Sequence, residues 1–158
     1  MRKGTLSILS TLAGIVIGVA AMGKVIDKSA NKAQAMSDKH LALFLMMNRW
    51  IQVKQEGKTL TDYLEKHDYK VVAIYGISYV GERLLDELKG SNITVKYGID
   101  KEADGIHADI PVVYMDDLLE EVDAVIVTAI SFIDEIESTL STKISCPIIS
   151  LEDILYDM

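Results

Sequence analysis

The residues with the clearest chemical meaning are Gly76-Ile77-Ser78-Tyr79-Val80-Gly81, which follow the apolar run Val71 to Tyr75 and open a helical pattern. A strand-turn-helix of this kind turns backbone N–H groups and the positive end of a helix dipole toward an anion. In the dinucleotide-binding form of the turn, the first glycine makes the bend and the second lets a pyrophosphate approach the backbone. The third lets helix and strand pack closely. Gly76 and Gly81 fill the first and third positions, and Ser78 replaces the second. A Cβ and a hydroxyl therefore stand where the pyrophosphate would lie, although the hydroxyl can offer a hydrogen bond of its own. Asp100, at the end of the next strand-like run, has the position of the acid that takes ribose hydroxyls. Its other reading is local: a cap on the turn from Asp100 to Gly105.

Other combinations carry less. Tyr97 and Lys101 have the Tyr-x-x-x-Lys spacing of short-chain dehydrogenases, but that pair works from one helix face, and these residues straddle a strand end. Asp116-Asp117 and Glu120-Glu121 read as the solvated, capped start of a helix before they read as paired catalytic carboxylates. No Ser-His-acid or Cys-His set is present. His40, His67 and His107 stand far apart without metal-ligand spacing. Cys146, the single cysteine, lies in an apolar run and reads as an unreactive buried thiol. We therefore expect no catalytic residues and no metal. The expected cofactor-binding set is Gly76, Ile77, Ser78, Tyr79 and Gly81 of the turn, with Asp100, Thr128 and Ser131.

Those residues need strands to hold them. Val71 to Tyr75 and Ala124 to Val127 are continuous apolar runs, as expected of parallel strands covered on both faces. Ile93 to Ile99, Pro111 to Tyr114 and Pro147 to Leu151 supply three more. Helical stripes alternate with them: Val80, Leu84, Leu85 and Leu88, ended by Gly90, then Ile133, Ile136 and Leu140. Ser131 with Asp134, and Ser150 with Asp153, have capping-box spacing. The pattern predicts an α/β fold, a Rossmann-like doubly wound five-stranded parallel sheet in the order 3-2-1-4-5, preceded by N-terminal helices. Its ligand crevice falls between the carboxyl ends of the first and fourth strands, with Gly76 to Tyr79 on one lip and Thr128 to Ser131 on the other.

Charge and hydropathy divide the chain. Residues 1–57 carry eight Lys/Arg against three Asp/Glu, whereas residues 58–158 carry eight against twenty-one, an acidic surface that repels nucleic acid. Thr5 to Met22 contains no charge, and 18 residues of helix approach the hydrocarbon thickness of a bilayer. We read residues 1–23 as a transmembrane anchor, with Gly14 and Gly18 on one face favouring self-association. A cleaved signal peptide and a soluble Ala/Gly-rich helix in an oligomer are the competing readings. Residues 24–69 read as a basic linker and packing helices, and 70–158 as the α/β domain, placed on the cytoplasmic side; a soluble cytoplasmic protein is the alternative. Between Ser37 and Gln55, Leu41, Leu45 and Ile51 interleave with Leu43, Phe44, Met46, Met47 and Trp50, an apolar face wide enough to require a partner. Gly57 stops this helix and Thr59 caps a short one carrying Leu60 and Leu64.

The stretch Val71 to Asp100, followed by Val122-Asp-Ala-Val-Ile-Val-Thr-Ala129 and Pro147 to Leu155, resembles the NAD(P)-binding-like Rossmann domains of bacterial surface-polysaccharide enzymes. It is similar to the nucleotide-binding halves of nucleoside-diphosphate-sugar epimerases and dehydratases, and to the N-terminal domains of sugar acetyltransferases. The resemblance implies NAD(H) or a nucleotide-sugar as ligand, with Gly76, Ser78, Gly81 and Asp100 in contact with it, and a place in cell-envelope glycan synthesis. The expectation is a membrane-anchored, homo-oligomeric binding or regulatory module. One alternative is a small NAD(P)-dependent oxidoreductase or epimerase-like enzyme completed by a partner, for which Tyr79, Ser131 and Asp134 are the nearby proton-moving candidates. The other is a ligand-free oligomerising scaffold.

Overall fold

The structure is a computed structural model that describes residues 30–158. The Thr5 to Met22 run, with Gly14 and Gly18, lies outside the described residues. Among those described, no helix is long and apolar enough to cross a membrane. The chain divides into two compact units, residues 1–42 and 43–158. In the first, the described residues are helical, and Gln34 Nε2 donates to Asp38 Oδ1 at 2.8 Å one turn away.

The second unit begins within helix α1, described over residues 30–55. Gly57 ends it: its φ of +77° permits the bonds from Gly57 N to Lys54 O and from Lys58 N to Val53 O that close the helix terminus. Helix α2 (Leu60–Lys66) starts at Thr59, whose hydroxyl accepts from Asp62 N while the Asp62 carboxylate accepts from Thr59 N, a complete capping box. Then follow β1 (Val71–Tyr75), α3 (Tyr79–Leu88), β2 (Thr94–Ile99), a 3-10 turn (Ala103–Gly105), β3 (Val112–Val113), β4 (Ala124–Val127), a second 3-10 turn (Ile130–Phe132), α4 (Ile133–Leu140), β5 (Ile148–Ser150) and α5 (Leu151–Asp157). All strand pairs are parallel, in the order β3-β2-β1-β4-β5, the doubly wound sheet that the hydrophobic pattern predicts.

Only two of the four crossovers contain an α-helix. The expected helix start at Asp116-Asp117 is absent: residues 114–117 form a turn, with Asp117 N donating to Tyr114 O and Tyr114 N to the Asp117 carboxylate. Three of the four acids there, Asp116, Asp117 and Glu120, meet cations or a cap instead of a helix dipole. Lys143 holds Asp116 at 2.6 Å and Lys96 holds Glu120 at 2.8 Å, and Leu118 is 93% exposed. The Ser131 capping box also fails. Ser131 lies inside the 3-10 turn, and the residue before α4 is Phe132, which makes no side-chain cap. Ser150 does cap α5, accepting from Glu152 N at 3.2 Å.

One face of the sheet packs against α4. Ala73, Tyr75, Tyr97, Ile99, Val125 and Val127 form its core with Ile136 and Leu140. A register shift opposite Val72 and Ala73 leaves Lys96 as an extra residue in β2, and this puts Tyr97 and Ile99 on the same face as Ala73 and Tyr75. The alternate residues Val72 and Ile74 face the other way, toward α3 with its buried Leu84 and Leu88. On that side Glu87, with a side chain only 7% exposed, joins three helices. Its carboxylate accepts from Trp50 Nε1 at 2.7 Å and Leu60 N at 3.0 Å, and pairs with Lys54 Nζ at 2.9 Å. The predicted wide apolar face of α1 is split: Met46, Trp50 and Val53 are buried, while Phe44, Leu45 and Ile51 are exposed.

At the amino edge, Asp123 ties β1 to β4. Its carboxylate accepts from Lys70 N and Val71 N, and its own N–H donates to Val71 O.

Candidate functional site

β1 ends at Tyr75, and the next residue has a φ of +93°, which glycine alone adopts without strain. Gly76 N continues the ladder by donating to Ile99 O at 2.8 Å, while Thr128 N donates to Tyr75 O at 3.0 Å. The first position of the turn thus sits across the point where the strand order reverses. A Cβ at Gly76 would lie 2.7 Å from Thr128 Oγ1, and one at Gly81 would lie 2.2 Å from Gly76 O. The two glycines do the work their spacing predicts, one bending the chain and the other letting α3 rest on the turn.

Ser78 has φ −107° and ψ −164°, ordinary extended backbone. Glycine is not needed there for conformation, only for the approach of a ligand. Its side chain is exposed and makes no capping bond, so the first turn of α3 carries no side-chain cap of its own. Tyr79 stands beside it, 87% exposed.

Asp100 and Thr128 are brought to the turn, and both are engaged by it. Asp100 Oδ2 accepts from Ile77 N at 2.9 Å, and Oδ1 accepts from Glu102 N at 3.0 Å. The carboxylate therefore fixes the turn and caps the segment after β2 with the same group. Thr128, 3% exposed, places its hydroxyl 2.6 Å from Gly76 O and 3.1 Å from Tyr75 O. Ile77 is buried, and Ser131 is exposed in its 3-10 turn, with no hydrogen bond to the Gly76 turn among the described residues. Gly76, Ile77, Asp100 and Thr128 form one bonded cluster. Ser78 and Tyr79 are the members open to solvent beside it.

Two further residues shape the site and were not singled out by spacing. Gly98 gives Ile77 its place: a Cβ there would lie 2.6 Å from Ile77 Cγ1. The signal was a lone glycine in an apolar strand, which marks close approach by a neighbour. We expect Gly98→Ala to lower stability by about 1–3 kcal/mol. Combined with Ile77→Ala the two losses should be less than additive in urea denaturation; strict additivity would refute the contact. The second is Tyr75, 3% exposed, whose hydroxyl is buried without a hydrogen-bond partner, the only such side-chain atom among the described residues. Burial, with Asp100 and then Glu135 nearby, pushes this phenol above its ordinary pKa, so it is a protonated donor at neutral pH. Tyr97, by contrast, donates to Glu120 O at 2.7 Å, which removes it from any Tyr-Lys pair with the exposed Lys101.

Elsewhere, a cleft of about 400 Å³ lies between α3 and residues 107–110, spanned by the exposed Lys89–Asp109 pair at 2.9 Å. It does not include the Gly76 turn. Cys146 is half-buried, and that burial holds its thiol above the usual pKa. Among the described residues no three His, Cys, Asp or Glu side chains are grouped to hold a metal. No protein family, curated protein or solved structure matches the chain.

Proposed function

We propose that the protein is a nucleotide- or nucleotide-sugar-binding module with a regulatory task in place of a catalytic one. The observation that carries the reading is the turn at the strand-order reversal: Gly76 at positive φ, Gly81 against the Gly76 carbonyl, and a ten-residue helix behind them without a side-chain cap. The bonded cluster of Asp100, Ile77 and Thr128 supports a binder, because it holds the turn preformed. An uncharged stretch at Thr5 to Met22 supports a membrane anchor, and the resemblance to polysaccharide-enzyme domains supports a role in envelope glycan synthesis.

The test is a thermal-shift panel on the full chain with NAD, NADP, UDP-sugars, CMP and CoA. A ligand at a hundred times its Kd adds about 2.7 kcal/mol to stability, a rise of several degrees. Ser78→Leu, at an exposed position in the mouth of the turn, should leave the unliganded midpoint in place and abolish the rise. No shift with any probe would sink the reading. It would favour the ligand-free scaffold, which the exposed Phe44, Leu45 and Ile51 of α1 support.

A further inference from the structure

Helix α1 meets its own domain with one side only. Met46, Trp50 and Val53 are buried, Arg49 Nε donates to Leu155 O at 2.9 Å, and Trp50 Nε1 donates to Glu87. On the opposite side stand Phe44, Asn48, Ile51 and Gln55, all exposed and spaced four, three and four residues apart. That is the alternation of a two-stranded coiled-coil seam, with Phe44 and Ile51 at d positions and Asn48 and Gln55 at a positions. In the sequence, Leu41 continues the spacing by one position. Phe44 is 67% exposed and Ile51 54%, and Leu45 beside them is exposed as well. A helix with apolar residues on two opposite sides is built to be covered on both.

We propose that this outward side of α1 pairs with the same side of a second copy, as a short parallel two-stranded coiled coil in which Asn48 faces Asn48 across the two-fold axis. Asn48 selects an identical partner. Its amide is donor and acceptor at once, so two copies satisfy each other, whereas a lipid surface would bury it without a partner, together with Gln52 and Gln55. Charge selects this face. Residues 58–158 carry eight Lys/Arg against twenty-one Asp/Glu, so two α/β units repel each other, but positions 44, 45, 48, 51, 52 and 55 hold no ionised side chain. A second copy meets no charge there. The chain ahead of the helix selects the parallel orientation: both copies then enter the pair from the same end, and the Gly14 and Gly18 faces expected from the sequence to self-associate are brought toward each other. An antiparallel pair would send those segments in opposite directions. The seam does not depend on a ligand at the Gly76 turn.

The experiment uses the full-length chain in detergent micelles, without nucleotide, and reads its mass by sedimentation. We expect a dimer. In a Cys146→Ser background, Phe44→Cys and Ile51→Cys, made separately, should each give a disulfide-linked dimer under mild oxidation, because parallel d positions face their own copies within reach of a disulfide. Seven residues of helix set the two sites about 10 Å apart, so an antiparallel pair can link at one of them at most. Ser131→Cys, exposed on the α/β unit, should not link. Phe44→Glu with Ile51→Glu should raise the dimer dissociation constant about tenfold or more. The melting midpoint of the dilute monomer should stay in place, because both side chains are exposed. A dimer that links at one site or neither, or a double variant that dimerises as tightly as wild type, would overturn the seam. So would a monomeric wild type, and a Phe44→Cys dye conjugate that shifts to the blue on phosphatidylcholine vesicles would then give the face to lipid. None of these results bears on nucleotide binding, which the thermal-shift panel reads separately.

Discussion

Replacing Glu87 by alanine should lower the stability of the folded unit by about 3–5 kcal/mol, as is typical when one partner of a buried charged cluster is removed. The side chain is 7% exposed, and its two oxygens receive three donors from two other helices: Lys54 and Leu60 on Oε1, Trp50 on Oε2. Trp50 is 5% exposed, so its indole N–H would be left buried and unpaired, and so would the amide that begins α2. Glu87→Gln keeps the volume but turns an amide N–H toward a donor, and should lose roughly half as much. Lys54→Ala should lose no more than about 1 kcal/mol, because that side chain is 46% exposed and its pairing is screened by water. The chain has one tryptophan, and it is a member of the cluster, so urea denaturation followed by Trp50 fluorescence reads all three variants directly. A Glu87→Ala protein within 1 kcal/mol of wild type would mean that the carboxylate does not join the helices.

Glu87 also illustrates what a one-dimensional pattern leaves hidden. The stripe of Val80, Leu84, Leu85 and Leu88 identifies α3, and Gly90 its end, because apolar periodicity and a glycine in a turn are local signals. Glu87 falls on the edge of that stripe, seven residues after Val80 and three after Leu84, but its charge hides its burial, and its partners at residues 50, 54 and 60 come from other elements, which spacing does not encode. The sheet was legible because a run such as Ala124 to Val127, buried along its whole length, is characteristic of a central parallel strand. The crossover at residues 114–123 was not, since Asp116, Asp117, Glu120 and Glu121 resemble a helix start until Lys96 and Lys143 are seen to hold two of them. At the site, glycine roles could be read in advance because each is a steric requirement on the backbone. Asp100 was read as a ribose ligand or as a cap on the following turn; the cap at Glu102 N is present, while the bond from Ile77 N, 23 positions back in the chain, had no signal in the sequence. Tyr75 gave no signal at all, because an aromatic at the end of a strand is ordinary until its hydroxyl is found unpaired.

Gly81→Ala should reverse the usual sign of a glycine-to-alanine change in a helix. In an exposed helix the substitution gains up to about 1 kcal/mol from reduced backbone entropy. Here the new Cβ would lie 2.2 Å from Gly76 O and 3.1 Å from Gly76 C, and both are backbone atoms that cannot rotate away. Relief requires α3 to lift from β1, which pulls on the Thr128 bond to Gly76 O and on the Asp100 bond to Ile77 N. We expect a net loss of about 3 kcal/mol, near the upper end of what overpacking a tight contact produces. Gly105→Ala is the matched control: no atom lies within 4 Å of the added Cβ, and the change should stay within about 0.5 kcal/mol. Nucleotide probes give a second, independent reading, because even a variant that stays folded at low temperature would present a turn displaced from the helix N-terminus and should show no ligand-induced rise in its melting midpoint. A neutral or stabilising Gly81→Ala would mean that α3 does not rest on the Gly76 carbonyl, and the turn would then lack the geometry on which phosphate binding depends.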